Sequence, residues 1–197
     1  MRPTKRDELV QKALSVFYSH GFHATGMDRL VAETGISKTS MYKHFRTKED
    51  LILAALRLRD EQFRNWLYRR MEEEASTSGG QLLAMFEVLR EWFTHKDFAG
   101  CMFIKASAEF AKADHPIHVQ SAEHKRMICT HLCALAKEAG ARDPDALARQ
   151  LLLLKEGATV AAHLRYTEDP AGDAVRAAQV LLDAELGNGF VDAVKTG

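Results

Sequence analysis

The stretch from Thr25 to Leu51 constrains the fold of this chain more than any other part of its 197 residues. Apolar residues recur there at helical spacing on either side of a glycine: Met27, Leu30 and Val31 before it, Met41 and Phe45 after it. That glycine, Gly35, suits the left-handed position that ends a helix, and Ser37 offers a side-chain oxygen to cap the next one. Two short helices joined in this way form a helix-turn-helix, whose second helix can enter a DNA major groove.

The rest of the chain predicts further helices and no convincing strand. The helices are expected at about 5–20, 26–34, 38–44, 48–74, 81–95, 101–113, 117–139, 144–166 and 170–186. Thr25 and Thr47 are placed to cap two of them, and the Asp-Pro pairs at 143–144 and 169–170 are strong start signals for two more. The segment 75–80 is the clearest loop. The predicted class is therefore all-α, with about nine helices.

Charge and composition narrow the class of protein. The formal net charge is zero, but residues 1–50 hold nine Lys or Arg against six Asp or Glu, a surplus of three positive charges. A basic end on an acidic body suits a protein that touches phosphates with that end only. No apolar run approaches the ~20 residues that span a bilayer, and no secretory signal opens the chain. We expect a cytoplasmic protein without a membrane segment, a cofactor or a structural metal.

The full motif resembles the DNA-binding signature of the TetR family of transcriptional regulators. Its carriers are Thr25, Leu30-Val31-Ala32, Gly35-Ile36-Ser37-Lys38, Met41-Tyr42, His44-Phe45 and Lys48-Glu49-Asp50-Leu51. The resemblance covers about residues 5–60, and beyond them only the number and order of helices match. It implies an all-α homodimer with an N-terminal three-helix helix-turn-helix DNA-binding domain, here 1–50. A helical ligand-binding and dimerisation domain would follow at 51–197.

Ten residues are candidates for contact with a double-stranded DNA operator. They are Thr25, Gly26, Ser37, Lys38, Thr39, Ser40, Tyr42, Lys43, His44 and Lys48. Thr25 and Gly26 stand at a helix start, where backbone N–H groups can bind a phosphate. The residues after Ser37 lie in or near the exposed turns of the recognition helix, within reach of base edges or backbone. Tyr42 and His44 resemble family positions that contact phosphate, and Lys48 adds charge at another helix start.

The body is rich in aromatic and sulfur-containing residues, most of which must form its core. The resemblance implies that some also line a pocket for a small apolar or amphipathic effector, because such sites are apolar with a few polar groups. The candidates are Met85, Phe86, Leu89, Trp92, Phe93, Met102, Phe103, Phe110 and Met127, with Lys105, His131 and His163 as polar members. Glu109 is a further polar candidate.

The last two helices predict a dimer surface. One carries an apolar stripe with small residues, Leu147, Leu151, Leu154, Ala158, Ala161 and Ala162, and the other carries Val175, Ala178, Leu181 and Leu182. Two such helices from each of two copies can form a four-helix bundle across a twofold axis. The alternative is that these stripes pack only within one chain.

The cysteines and histidines leave other functions open. Cys129 and Cys133 are four apart on one predicted helix face, which suits small buried side chains better than a metal site without further ligands. Cys101, after Gly100 near a helix start, could react with oxidants or electrophiles.

From the motif and the resemblance together, we expect a ligand-responsive repressor that binds a near-palindromic operator. The alternatives are a thiol-based sensor using Cys101 and a small-molecule binding protein without DNA affinity. No motif of an enzyme is present.

Overall fold

The computed structural model describes residues 4–187, which form nine α-helices and contain no β-strand. The helices are α1 Lys5–His20, α2 Met27–Thr34, α3 Lys38–His44, α4 Lys48–Glu74, α5 Ser78–Thr94, α6 Met102–Glu109, α7 Pro116–Glu138, α8 Pro144–Leu164 and α9 Pro170–Leu186. The all-α class, the number of helices and the N-terminal three-helix arrangement are confirmed. None of the described helices is both long and apolar enough to cross a membrane.

Helix caps set most boundaries where the sequence predicted them. Gly21 ends α1 and Gly35 ends α2, both with positive φ, and the Ser37 hydroxyl accepts a hydrogen bond from the backbone N–H of Ser40. Thr47 caps α4, because its hydroxyl accepts from the N–H of Asp50 at 3.1 Å. Asp143 and Asp169 cap α8 and α9 with a proline in the first turn of each.

Three predictions of local structure were wrong. Gly26, not Thr25, occupies the N-cap of α2, and the Thr25 hydroxyl instead donates to the carbonyl oxygen of Gly21 at 2.6 Å. The loop at 75–80 is shorter than predicted, since Thr77 caps α5 by accepting from the N–H of Gly80. The segment predicted as a helix at 101–113 ends at Glu109, where Phe110 leaves helical geometry with φ −115° and ψ 72°.

Packing divides the chain into two compact units, to which α4 and α7 both contribute. Within the described residues, the head unit comprises 4–63 together with Cys101–His124, and the body unit comprises Arg64–Gly100 and 125–187. The division follows contacts between residues. The functional boundary at residue 50 stays a prediction.

The core of the head unit is built from the apolar faces of α1 to α4 and from α6. Phe17, Phe22, Leu30 and Met41 are fully buried or nearly so, and α2 packs against both α1 and α3. Buried residues of α6 belong to the same core, although α6 is separated from α4 in sequence by the whole of α5. The helix-turn-helix therefore rests on a helix from outside the N-terminal segment.

In the body unit α9 packs against α5 and α8, and α5 also packs against α8. The predicted dimer stripe falls largely inside this packing. Six of its ten side chains are buried within one chain and are core rather than surface: Leu147, Leu151, Ala158, Ala161, Ala178 and Leu182. The other four are half-buried: Leu154, Ala162, Val175 and Leu181. The sequence did not reveal that α5 packs against both α8 and α9.

Candidate nucleic-acid interface

α3 separates a buried side from a polar exposed side. Met41 is 1% exposed and Phe45, just past the helix end, is 7% exposed, so both point into the head-unit core. Lys38, Thr39, Tyr42, Lys43 and His44 are exposed, Ser37 is exposed at the cap, and Ser40 is half-buried. An α3 surface of this composition offers two ammonium groups, hydroxyls, a phenol and an imidazole. These groups can contact phosphates and base edges.

Most of these side chains are not committed to strong contacts within the chain. The Lys38 ammonium lies 3.8 Å from a carboxylate oxygen of Asp28, whose side chain is almost fully exposed. An exposed ion pair of this length contributes little and is readily exchanged for another anion. The exposed side of α3 is therefore available for an anionic partner.

Two of the predicted DNA contacts also make structural hydrogen bonds within the head unit. Thr25 is fully buried, so its side chain cannot reach a ligand while its hydroxyl is bonded to Gly21. Lys48 donates to the carbonyl oxygens of Phe22 and Thr25 at 3.0 and 3.2 Å. Lys48 thus holds the α1–α2 loop against the start of α4, and its ammonium keeps its charge and a third N–H that a phosphate can accept. Gly26 is exposed and has no side-chain cap partner at the start of α2.

The twelve pocket candidates are divided between the two units. Met102, Phe103, Lys105 and Phe110 belong to the head unit, and the other eight belong to the body unit. In the body unit, Met85, Phe86 and Leu89 are fully buried, whereas Met127 and His163 are exposed. His131 is half-buried and stacks on Tyr68 with ring centroids 3.7 Å apart.

An aromatic cluster stands out at the end of α5. The rings of Trp92, Phe93 and Phe98 contact one another with centroids 4.9 to 5.8 Å apart, and His163 lies edge-on to Phe98. Phe93 also lines an open groove of about 230 Å³ beside the α8–α9 connection. Half-buried aromatic rings next to a groove are the kind of surface that binds apolar ligands.

A buried polar pair in the head unit was missed by sequence reasoning. His124 on α7 is 1% exposed and lies 2.7 Å from a carboxylate oxygen of Asp60 on α4. Its ring stacks on Phe103 at 3.7 Å. The signal was the spacing of His124 with Ile117 and Ile128 on one helix face, which predicts burial.

None of the three cysteines forms a disulfide bond. Cys129 and Cys133 are half-buried, and the Cys133 thiol donates to Asp145 at 3.3 Å. Burial raises the pKa of Cys133, and Asp145 adds to that effect. Across residues 4–187 no three His, Cys, Asp or Glu side chains converge in a way that could hold a metal ion.

The fold and the α3 surface together define the class of helix-turn-helix transcriptional regulators. A family model described as bacterial regulatory proteins of the tetR family matches residues 9–55. The HTH-type transcriptional regulator YjdC of Escherichia coli K12 is 25% identical over 78% of this chain and 80% of its own. The HTH-type transcriptional repressor ComR of the same organism is 32% identical over 50% of this chain and 48% of its own.

Likeness to a solved structure extends over the body as well. The crystal structure of SCO4454, a TetR-family transcriptional regulator from Streptomyces coelicolor, superposes with a TM-score of 0.83. It is 28% identical and covers 92% of this chain and 89% of its own. Residues 9–55 thus match the tetR-family DNA-binding domain, the whole fold resembles that of a TetR-family transcriptional regulator, and the relatives named here are regulators rather than enzymes.

Proposed function

We propose that this chain is a ligand-responsive repressor that binds a near-palindromic DNA operator as a homodimer. The observation that carries the proposal is the α3 surface, where Lys38, Thr39, Tyr42 and Lys43 are exposed above the buried Met41. The exposed N-cap of α2 at Gly26 and the charge of Lys48 supply further phosphate contacts. The Thr25 side chain contributes by holding the loop in place.

The dimer surface is proposed on the exposed apolar residues of α8 and α9. Leu153, Val160 and Leu164 recur along one face of α8, and Val180 is exposed on α9. The side chains of Leu153 and Leu164 are 72% and 64% exposed. Apolar side chains exposed together on one helix face indicate a surface that a partner covers. Operator binding by such a dimer requires its two recognition helices to lie about 34–36 Å apart, one turn of DNA.

The effector is proposed to bind in the body unit near the aromatic cluster of Trp92, Phe93 and Phe98. An apolar or amphipathic small molecule suits half-buried aromatic walls. Such a ligand releases DNA only if it binds the DNA-free conformation more tightly than the DNA-bound one. Repression is supported by the likeness to the transcriptional repressor ComR, which matches half of this chain.

Selection of bound duplexes from a random pool tests the proposal. We expect enrichment of two inverted half-sites whose centres lie about one helical turn apart. A reporter placed downstream of the selected site should be repressed by the protein, and activation would overturn the repressor assignment. No enrichment at low salt would favour a small-molecule binding protein without DNA affinity.

A thiol-based sensor is the second candidate, and the surroundings of Cys101 favour it. Cys101 is buried at the N-cap of α6 and interacts electrostatically with Arg59 and Lys105. Cationic side chains beside a thiol are typical of cysteines that react with electrophiles. N-ethylmaleimide should then release wild-type protein from the operator and leave Cys101→Ser bound. Release of both proteins, or of neither, would exclude this sensor.

A further inference from the structure

The loop between α1 and α2 is held by a carboxylate from a distant helix. Glu109, the last residue of α6, accepts hydrogen bonds from the backbone N–H groups of Phe22 and His23. Its two oxygens lie 3.0 and 3.2 Å from the Phe22 nitrogen, and one of them lies 2.5 Å from the His23 nitrogen. The His23 ring nitrogen Nδ1 is 3.2 Å from the same oxygen. Hydrogen bonds to an ionised acceptor are stronger than neutral ones.

The position of the α1–α2 loop is constrained by close packing at Gly21 and Phe22. Gly21 has φ +79°, and a Cβ at that residue would approach Glu109 Oε1 to 3.0 Å. Phe22 is fully buried, with its ring centroid 5.6 Å from that of Phe17 and 6.2 Å from that of Phe110. The residue after Glu109 therefore packs against the same loop that Glu109 binds.

α6 and α4 share the polar groups of this loop between them. Glu109 takes the N–H groups of Phe22 and His23, while Lys48 donates to the carbonyl oxygens of Phe22 and Thr25. The next residue, Gly26, is the N-cap of α2. Whatever fixes the loop also fixes where α2 begins, and α3 follows α2 after a short turn.

We propose that Glu109 is a positioning residue for DNA recognition, acting through the α1–α2 loop from outside the matched segment 9–55. This rests on the proposed function. In this proposal Glu109 does not contact DNA. It fixes the α1–α2 loop, and through the loop it fixes the position of α2 and of the recognition helix α3. Because coupling between two sites is reciprocal, DNA bound to the head unit must also stabilise α6.

The test uses the full chain, the selected operator and three variants. Glu109→Ala removes both acceptors, and Glu109→Gln keeps one oxygen and loses the charge. Glu61→Ala is the matched control, because Glu61 is an exposed glutamate of the same unit on α4. Amide hydrogen exchange of Phe22 and His23 is measured on free protein, and operator affinity is measured well below the unfolding temperature of each variant.

We expect amide exchange at Phe22 and His23 to accelerate at least tenfold in Glu109→Ala, beyond any change at core amides such as Leu56. Operator affinity should fall about tenfold, with Glu109→Gln between the two and Glu61→Ala unchanged. In wild-type protein, operator binding should slow exchange of the Phe110 amide, which donates to Ala106 in the last turn of α6. In Glu109→Ala this slowing should be lost.

A merely structural role would accelerate exchange evenly across the head unit and leave operator affinity as in the control, and either result overturns the inference. If wild-type protein binds the operator and Glu109→Ala binds it with the same affinity, the inference is overturned and the proposed function stands. Wild-type protein that enriches no duplex overturns both, so the two failures are distinguishable.

Discussion

Lys43 is exposed on α3, two positions after the buried Met41. If its ammonium binds a phosphate, Lys43→Ala should weaken operator binding by a similar factor for different operator sequences. The slope of log affinity against log salt should become shallower by about 0.9 per lost contact, so by about 1.8 for a symmetric dimer. Fluorescence anisotropy across a salt series measures both quantities.

Lys96→Ala is the control for this prediction, since Lys96 is an exposed lysine of the body unit. It should leave affinity and slope unchanged. An unchanged slope in Lys43→Ala together with altered sequence preference would contradict a phosphate contact and make Lys43 a base reader.

The ion pairs of Glu156 make the stability of the body unit depend on pH. Burial alone would raise the pKa of Glu156, but the ammonium groups of Lys155 and Lys125 outweigh it and lower the pKa to about 2. Their nitrogens lie 2.9 and 2.6 Å from the carboxylate. Because the folded pKa is below the ordinary value of 4.5, this stabilisation is fully present above pH 4.5 and is lost as pH falls towards 2. The shift corresponds to about 3 kcal/mol.

The free energy of unfolding of wild-type protein should therefore fall by about 3 kcal/mol more than that of Glu156→Gln between pH 5 and pH 2. Denaturant unfolding at several pH values measures this difference. Glu138→Gln, at an exposed glutamate of α7, should follow the wild-type curve. Parallel curves for wild type and Glu156→Gln would contradict the account of this ion-pair cluster.

At the scale of single residues, the sequence predicts exposure well and partners poorly. The buried Met41 and Phe45 follow from their spacing of four, and the exposed α3 residues follow from the positions between them. The partners of Thr25, Lys48 and Glu109 do not, because they depend on the path of a loop. Glu109 lies 86 residues from His23 in sequence, and no local pattern links the two.

Gly35 is the element-scale feature on which the helix-turn-helix depends. Its φ of +69° ends α2, and no atom lies within 4 Å of the place a Cβ would occupy. The cost of Gly35→Ala is therefore backbone strain without a clash, roughly 1–2 kcal/mol. Gly35→Asn should cost less, because asparagine tolerates left-handed geometry better. Urea unfolding gives both values, and an alanine variant as stable as wild type would contradict the prediction.

The predicted side-chain caps at Ser37, Thr47, Asp143 and Asp169 are present in the structure. The predictions failed at the start of α5 and at the end of α6. Two glycines at 79 and 80 suggested a loop, yet Thr77 captures the Gly80 N–H and starts α5 early. The end of α6 depends on contacts of Glu109 and Phe110 with the α1–α2 loop, which are tertiary.

The exposed apolar face of α8 carries the prediction that belongs to the whole molecule. Leu153→Glu combined with Leu164→Glu should convert a dimer at micromolar concentration to a monomer, because it places charges in an apolar contact. Sedimentation velocity measures the change. Lys137→Glu, at an exposed position of the body unit, is the control and should remain dimeric. A monomeric wild-type protein would contradict the proposed dimer.

The arrangement of the whole molecule was the least predictable part. The stripe chosen from the sequence as a dimer surface is largely core, because α5 packs against α9 and α8. An apolar stripe shows that a face is covered but does not show by which element. Likewise, the number of helices does not reveal that α6 and the start of α7 pack with the head unit.

Photo-crosslinking from two matched tyrosines tests most directly whether α3 reads DNA. Tyr42 on α3 is 49% exposed, and Tyr166 in the body unit is 72% exposed. Each is replaced in turn by the photoreactive p-benzoylphenylalanine, and the protein is irradiated with the selected operator. Crosslinks from position 42 should map within the half-sites, and position 166 should give none. Crosslinks from position 166, or none from position 42 in a variant that still binds DNA, would contradict the account.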